Sequence, residues 1–275
     1  MILIPIFLFA LIFFCLGLII GSFLNVVIYR MNTGKSLGGR SACMSCLNKL
    51  SWYELIPLFS FVGLKGRCKN CKTKISIQYP LVEFITGLIF AALFLKFFSL
   101  GITLGRTDAF FVNTSIFIYM YYAIMFSLLV IIAVYDLKHK IIPDKLSFVF
   151  GVLAFLGLFF FTANNFFAFP PHIPTLLEFL SGPLIALPFA FFWLISRGRW
   201  MGLGDAKLAL GLGWFLGLAS GLSALVIAFW LGAIIGLCLI VFRKGYGMKS
   251  EIPFAPYLIF GALLAFIFGL NLFVL

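Results

Sequence analysis

Apolar runs broken by short polar stretches make up most of this chain. A helix needs roughly 20 apolar residues to cross a hydrocarbon core. The sequence offers eight such runs, at 2–29, 81–99, 112–135, 146–163, 175–196, 206–219, 222–242 and 253–275, the sixth of them short and rich in glycine. The pattern predicts an all-α polytopic membrane protein of about eight transmembrane helices. The first run has no basic start and is too long for the core of a signal peptide, so it reads as a retained helix. The one sizeable polar segment, 30–80, separates this first helix (1–29) from a seven-helix region (81–275).

Composition sharpens the class. With 64% hydrophobic and 10% charged residues and a mean hydropathy of +1.19, the chain has too little polar surface to cover a soluble domain. The 37 phenylalanines are spread through every apolar run, which suits lipid-facing and interhelical packing rather than one aromatic site.

Charge then orients the bundle. Lys and Arg number nine in 30–80 and three each in 136–145, 197–207 and 243–252, which is 18 of the chain's 20. These segments fall on one side of the predicted spans, while the opposite connections hold only Arg106. Basic flanks resist translocation, so the basic side is expected to face the cytoplasm, with both termini outside it. The net charge of +12 follows from this bias and from attraction to anionic headgroups, without a nucleic-acid partner.

The 30–80 loop carries two CxxC pairs, Cys43/Cys46 and Cys68/Cys71, separated by 21 residues. That spacing suits four thiolates around one tetrahedral zinc ion. A pair of disulfides is the competing reading, but the charge bias puts the loop where thiols stay reduced. Four sulfur ligands leave no open position for water, so the ion would be structural. The stretch "WYELIPLFSFVGL" is expected to supply most of the loop's small core, leaving much of its folding free energy to the metal. Cys15 and Cys238, within spans, read as small core residues.

Ionisable groups near membrane depth are costly and tend to serve a task. Of the eight acids, Asp136 ends the third run, Asp144 closes the short loop after it, and Asp205 begins the sixth. Topology puts Asp136 and Asp205 at the same cytoplasmic depth. Two such carboxyls on neighbouring helices can form a proton-sharing pair, one ionised to activate water and the other protonated to polarise a peptide carbonyl. Gly202 and Gly204, lacking Cβ, would let backbone or substrate approach Asp205. Each acid also has a plainer reading: Asp205 and Asp144 as helix caps, Asp136 as a partner of Lys138 or Lys140.

These residues fall within a longer ordered set: "GSFLNVVIYR" (21–30), the two CxxC pairs, "GRCKNCKTKISIQYPLVE" (66–83), "YDLKHKIIPD" (135–144), "GLGDAKL" (202–208) and "IPFAPYL" (252–258). In this order they resemble the type IV prepilin peptidases, bifunctional leader peptidases and N-methyltransferases of the bacterial inner membrane. The resemblance covers nearly the whole chain. It implies that Asp136 and Asp205 are the catalytic aspartates, with Gly204–Asp205 in the G-x-G-D signature and Gly202 and Asp144 in support, and that Cys43, Cys46, Cys68 and Cys71 are zinc ligands. It further implies cleavage, on the cytoplasmic side, after the Gly that ends a short basic leader of prepilins or pseudopilins. The new N-terminal amine would then be methylated from S-adenosylmethionine. After "VVIYR" the family continues with a Leu- or Met-Pro step, whereas this chain reads "MNTGKSLGGR". Two other readings remain: a peptidase without methyl transfer, and a small proton-coupled transporter built on the same two aspartates.

Overall fold

A computed structural model describes residues 3–33, 36, 38–103, 109–161, 171–199, 201–242 and 252–273. Arg106, Asp108 and the basic stretch 243–250, which the topology argument uses, lie outside these. Among the described residues the chain is helical, with no strand beyond two isolated bridges. The helices are α1 (Leu3–Arg30), a short α2 (Phe59–Gly63) within the polar loop, α3 (Gln78–Thr103), α4 (Ala109–His139), α5 (Asp144–Phe160), α6 (Leu176–Ser196), α7 (Leu203–Leu216), α8 (Leu218–Phe242) and α9 (Ala255–Phe268).

Each of the eight predicted apolar runs contains a helix, but the count of eight full spans is not reproduced. Five helices, α1, α3, α4, α6 and α8, are long and apolar enough to cross a membrane. The other three, α5, α7 and α9, have 17, 14 and 14 residues. The apolar runs of α7 and α9 extend past the helical part. Gly217 (φ 76) stops α7 and Gly269 (φ 61) stops α9, in backbone conformations that a side chain disfavours.

The chain divides into two compact units, Met1–Ile131 and Ile132–Leu275, with the division inside α4. In the first unit α1 packs along α3. Glycines permit the approach: a Cβ on Gly17 would lie 2.7 Å from the Cα of Gly87, and one on Gly21 2.7 Å from the Cα of Glu83. Small residues spaced four apart let helix backbones come this close in lipid. Asn25, one turn further on, donates from Nδ2 to the Tyr79 carbonyl (3.1 Å). Cys15 is exposed on this pair and Cys238 on α8, so neither is a core residue; both lie on helix faces left open for lipid.

In the second unit α7 is central, packed on α5, α6, α8 and α9. Its small residues explain the position. A Cβ on Gly211 would meet the Phe150 ring at 2.7 Å, and one on Gly213 the Ser181 carbonyl at 2.5 Å. Pro183, inside α6, has no N–H to give the carbonyl of Phe179 four residues before it. Trp214 of α7 donates its indole N–H to that freed carbonyl (3.0 Å), and Ser181 donates to the Gly213 carbonyl (2.9 Å). A backbone group that lipid could not satisfy thus finds its partner on the neighbouring helix.

Candidate active site and cysteine cluster

The turn between α4 and α5 sets the geometry around Asp136. The Lys140 N–H closes α4 on the Asp136 carbonyl (2.7 Å) with Lys140 at φ 54, and Pro143 then precedes α5. The Asp136 side chain, in the last turn of α4, is only 4% exposed. It accepts the backbone N–H of Ala255, the first residue of α9, while its Oδ2 makes no hydrogen bond. The Asp136 carboxyl, although it ends α4, thus meets the start of α9. Asp205 is the third residue of α7 and its carboxylate accepts the N–H of Gly202, the residue that caps the helix. This is half of a capping box.

Asp136 and Asp205 are brought together closely enough for their charges to repel. Asp144 is not part of that pair. It opens α5 and makes an exposed ion pair with Lys207 (2.6 Å), tying the starts of α5 and α7. Gly204 packs on Ile142: a Cβ there would fall 3.0 Å from the Ile142 Cβ, so helix-to-turn packing accounts for the missing side chain. Gly202 is looser, with a Cβ site 3.7 Å from Asp205 Oδ2. The Ala255 N–H is a contributor that residue spacing did not single out. Its signal was Pro256 in the second position of α9, a residue type suited to the start of a helix.

In the first unit all four cysteines of the loop are free thiols, and their sulfurs lie within 4.8 Å of one another. The two CxxC pairs are built alike. The Cys43 N–H bonds the Asn48 carbonyl and the Leu47 N–H the Cys43 carbonyl; Cys68, Thr73 and Lys72 repeat the arrangement. Leu47 (φ 56) and Lys72 (φ 59) turn each knuckle back. N–H groups of Cys46 and Ser45 hold the Cys43 thiol below its ordinary range. The Thr73 hydroxyl, followed by its N–H, brings Cys71 down to about 6. Cys46 takes the Asn48 N–H, yet desolvation and the Cys43, Cys71 and Cys68 sulfurs push it up to about 11. Four thiolates this close repel, and a bound cation removes the repulsion. Thiolates about 2.3 Å from a tetrahedral ion lie roughly 3.8 Å apart; Cys43 and Cys71 Sγ are 3.7 Å apart. The cluster fits a metal ion.

Residues 15–97 match the bacterial peptidase A24 N-terminal domain, and residues 123–237 match the type IV leader peptidase family. A prepilin leader peptidase/N-methyltransferase of Bacillus subtilis (strain 168) is 32% identical over 94% of this chain and 94% of its own length. The chain belongs to the type IV leader peptidase family. Other members that it resembles carry the same name. The protein of Myxococcus xanthus (strain DK1622) is 37% identical over 76% of this chain and 56% of its own length; that of Xanthomonas campestris pv. campestris is 32% identical over 94% and 90%. This leader peptidase family is thus one whose members are named for peptidase and methyltransferase activities together. The first matched region contains the cysteine cluster and the second contains both aspartates. No solved structure matches the chain.

Proposed function

We propose that this chain is a bacterial inner-membrane aspartyl peptidase that removes the leader of prepilins or pseudopilins at the cytoplasmic face and then methylates the new N-terminus. The observation that carries the peptidase reading is the pairing of Asp136 and Asp205 from separate helices, with Asp136 Oδ2 buried and unpartnered. In this reading the ionised member takes a proton from water as that water attacks the scissile carbonyl. The protonated member gives its proton to the carbonyl oxygen, and the tetrahedral intermediate then collapses with protonation of the leaving amine. Ala255 and Gly202 orient the two carboxyls through their N–H groups, and the Asp144–Lys207 pair ties the start of α7, which carries Asp205, to the start of α5.

Basic connections on one side favour a cytoplasmic active site with both termini across the membrane, where a short basic leader would stay within reach. Cys43, Cys46, Cys68 and Cys71 would hold one structural zinc, which on binding supplies folding free energy to the loop. The methyl-transfer half, with S-adenosylmethionine as donor, is carried over from the relatives' names.

Mass spectrometry of a co-expressed prepilin tests both halves. The wild type is expected to give leader loss plus one methyl group, and Asp136→Asn or Asp205→Asn to give neither, a fall of about 10⁴-fold or more in cleavage. Leader loss without methylation keeps the peptidase and removes the methyltransferase. Cleavage by either Asn variant removes the pair.

A further inference from the structure

The stretch expected to form the loop's core does not. The short 3₁₀ turn Trp52–Leu55 and α2 contain no buried residue; Trp52 is 76%, Phe59 74% and Val62 74% exposed. Such a cluster of large apolar side chains on a small domain marks an interaction surface.

Its depth is set by one hydrogen bond. The Leu58 N–H donates to Glu83 Oε2 (2.9 Å), and the Glu83 carboxylate also takes the Ser22 hydroxyl. Glu83 is buried against Gly21, in the second turn of α3. At 1.5 Å per residue, the Glu83 Cα lies about 7–8 Å below the start of α3, and its carboxylate, reaching back toward that start, holds Leu58 beside the first turns of α3. At that level the exposed faces of α1 and α3 are apolar: Phe23, Leu81, Phe84 and Ile85 are all exposed.

Irregular backbone is tolerated at this depth only if its polar groups are satisfied. From Pro57 to Ser60 they are. Pro57 has no N–H, Leu58 bonds Glu83, Phe59 bonds the Pro57 carbonyl and Ser60 the Ile56 carbonyl. A buried carboxylate in a membrane helix thereby acquires a reason: it accepts the one N–H that the dipping chain cannot satisfy itself. The same loop carries exposed Lys65, Arg67 and Lys69, with Glu54 as its one acid. That balance complements an anionic headgroup layer.

We infer that Trp52, Phe59 and Val62 are a wedge seated at the headgroup–acyl boundary of an anionic bilayer, beside α1 and α3, and that Glu83 holds it there. The wedge continues the lipid-facing band of those helices, and it ties the cysteine cluster to the membrane surface.

The test uses the full chain in nanodiscs of phosphatidylethanolamine and phosphatidylglycerol, with photo-reactive benzoylphenylalanine replacing Phe59, Val62, Phe84 or Asn48 in turn. Phe84 serves as the lipid-facing reference and Asn48 as an exposed polar position of the loop. Lipid adducts are expected at 59 and 62 at yields comparable to Phe84 and absent at 48. Adding Glu83→Leu is expected to lower the adduct at 59 several-fold and leave that at 84 unchanged. The proposal is overturned if 59 and 62 give no lipid adduct, or cross-link instead to the Ile132–Leu275 unit or to a second copy of the chain. An unchanged yield at 59 in the Glu83→Leu background overturns the role of Glu83.

Discussion

The cysteine loop and the aspartate bundle solve opposite problems of stability. The loop's 3₁₀ turn and α2 bury no residue, and the two knuckles repeat a turn whose sulfurs repel without a cation. The bundle around α7 is close-packed, with Phe150, Ile185, Phe189, Leu208 and Leu212 almost fully buried and helix backbones touching at glycines. One region would draw its order from a metal ion that its four cysteines fit, the other from shape. Damage to either is therefore expected to stay where it is made.

The strongest break in that contrast is metal removal. Chelation is expected to make the four loop thiols reactive toward a charged, membrane-impermeant reagent, with Cys15 and Cys238 facing lipid unlabelled throughout, and to abolish methylated product, while leader cleavage continues. Loss of cleavage in step with thiol exposure would mean the two regions are not independent. Next in size is Gly261→Val. A Cβ on Gly261 would fall well inside contact with the Ala224 carbonyl, so a side chain must push α8 and α9 apart. Overpacking of this kind costs about 1–3 kcal/mol. Thermal unfolding in detergent is expected to shift down by a corresponding amount with metal content unchanged; metal loss in this variant would contradict the separation. The smallest effect belongs to Lys207→Ala. It removes an ion pair whose side chains are 47% and 73% exposed, worth at most about 1 kcal/mol. Cleavage assays are expected to register little, and a collapse of activity would place Asp144 and Lys207 inside the catalytic machinery.

Much of this was legible in the chain because local chemistry decided it. Two CxxC pairs need only a turn each to converge, and apolar runs specify helices whatever packs against them. The length of α7 and α9 was not legible, since Gly217 and Gly269 stop apolar runs that composition alone would continue. Asp136 and Asp205 could be placed at one depth, but the Ala255 N–H on Asp136 depends on how α9 packs, which no spacing near Asp136 encodes. The hydrophobic stretch 52–64 was misread as core for a related reason: its partner for burial is absent from the loop, and its depth hangs on a single bond to Glu83.

The brevity of α7 has a consequence for the supply of water. Fourteen residues rise about 21 Å, against a hydrocarbon thickness of roughly 30 Å. Packed among α5, α6, α8 and α9, it need not reach both faces of the bilayer itself. Asp205 stands at one end of that element, so in the proposed hydrolysis water would reach the carboxyl groups through the depth that α7 leaves unspanned, with no tunnel through the protein.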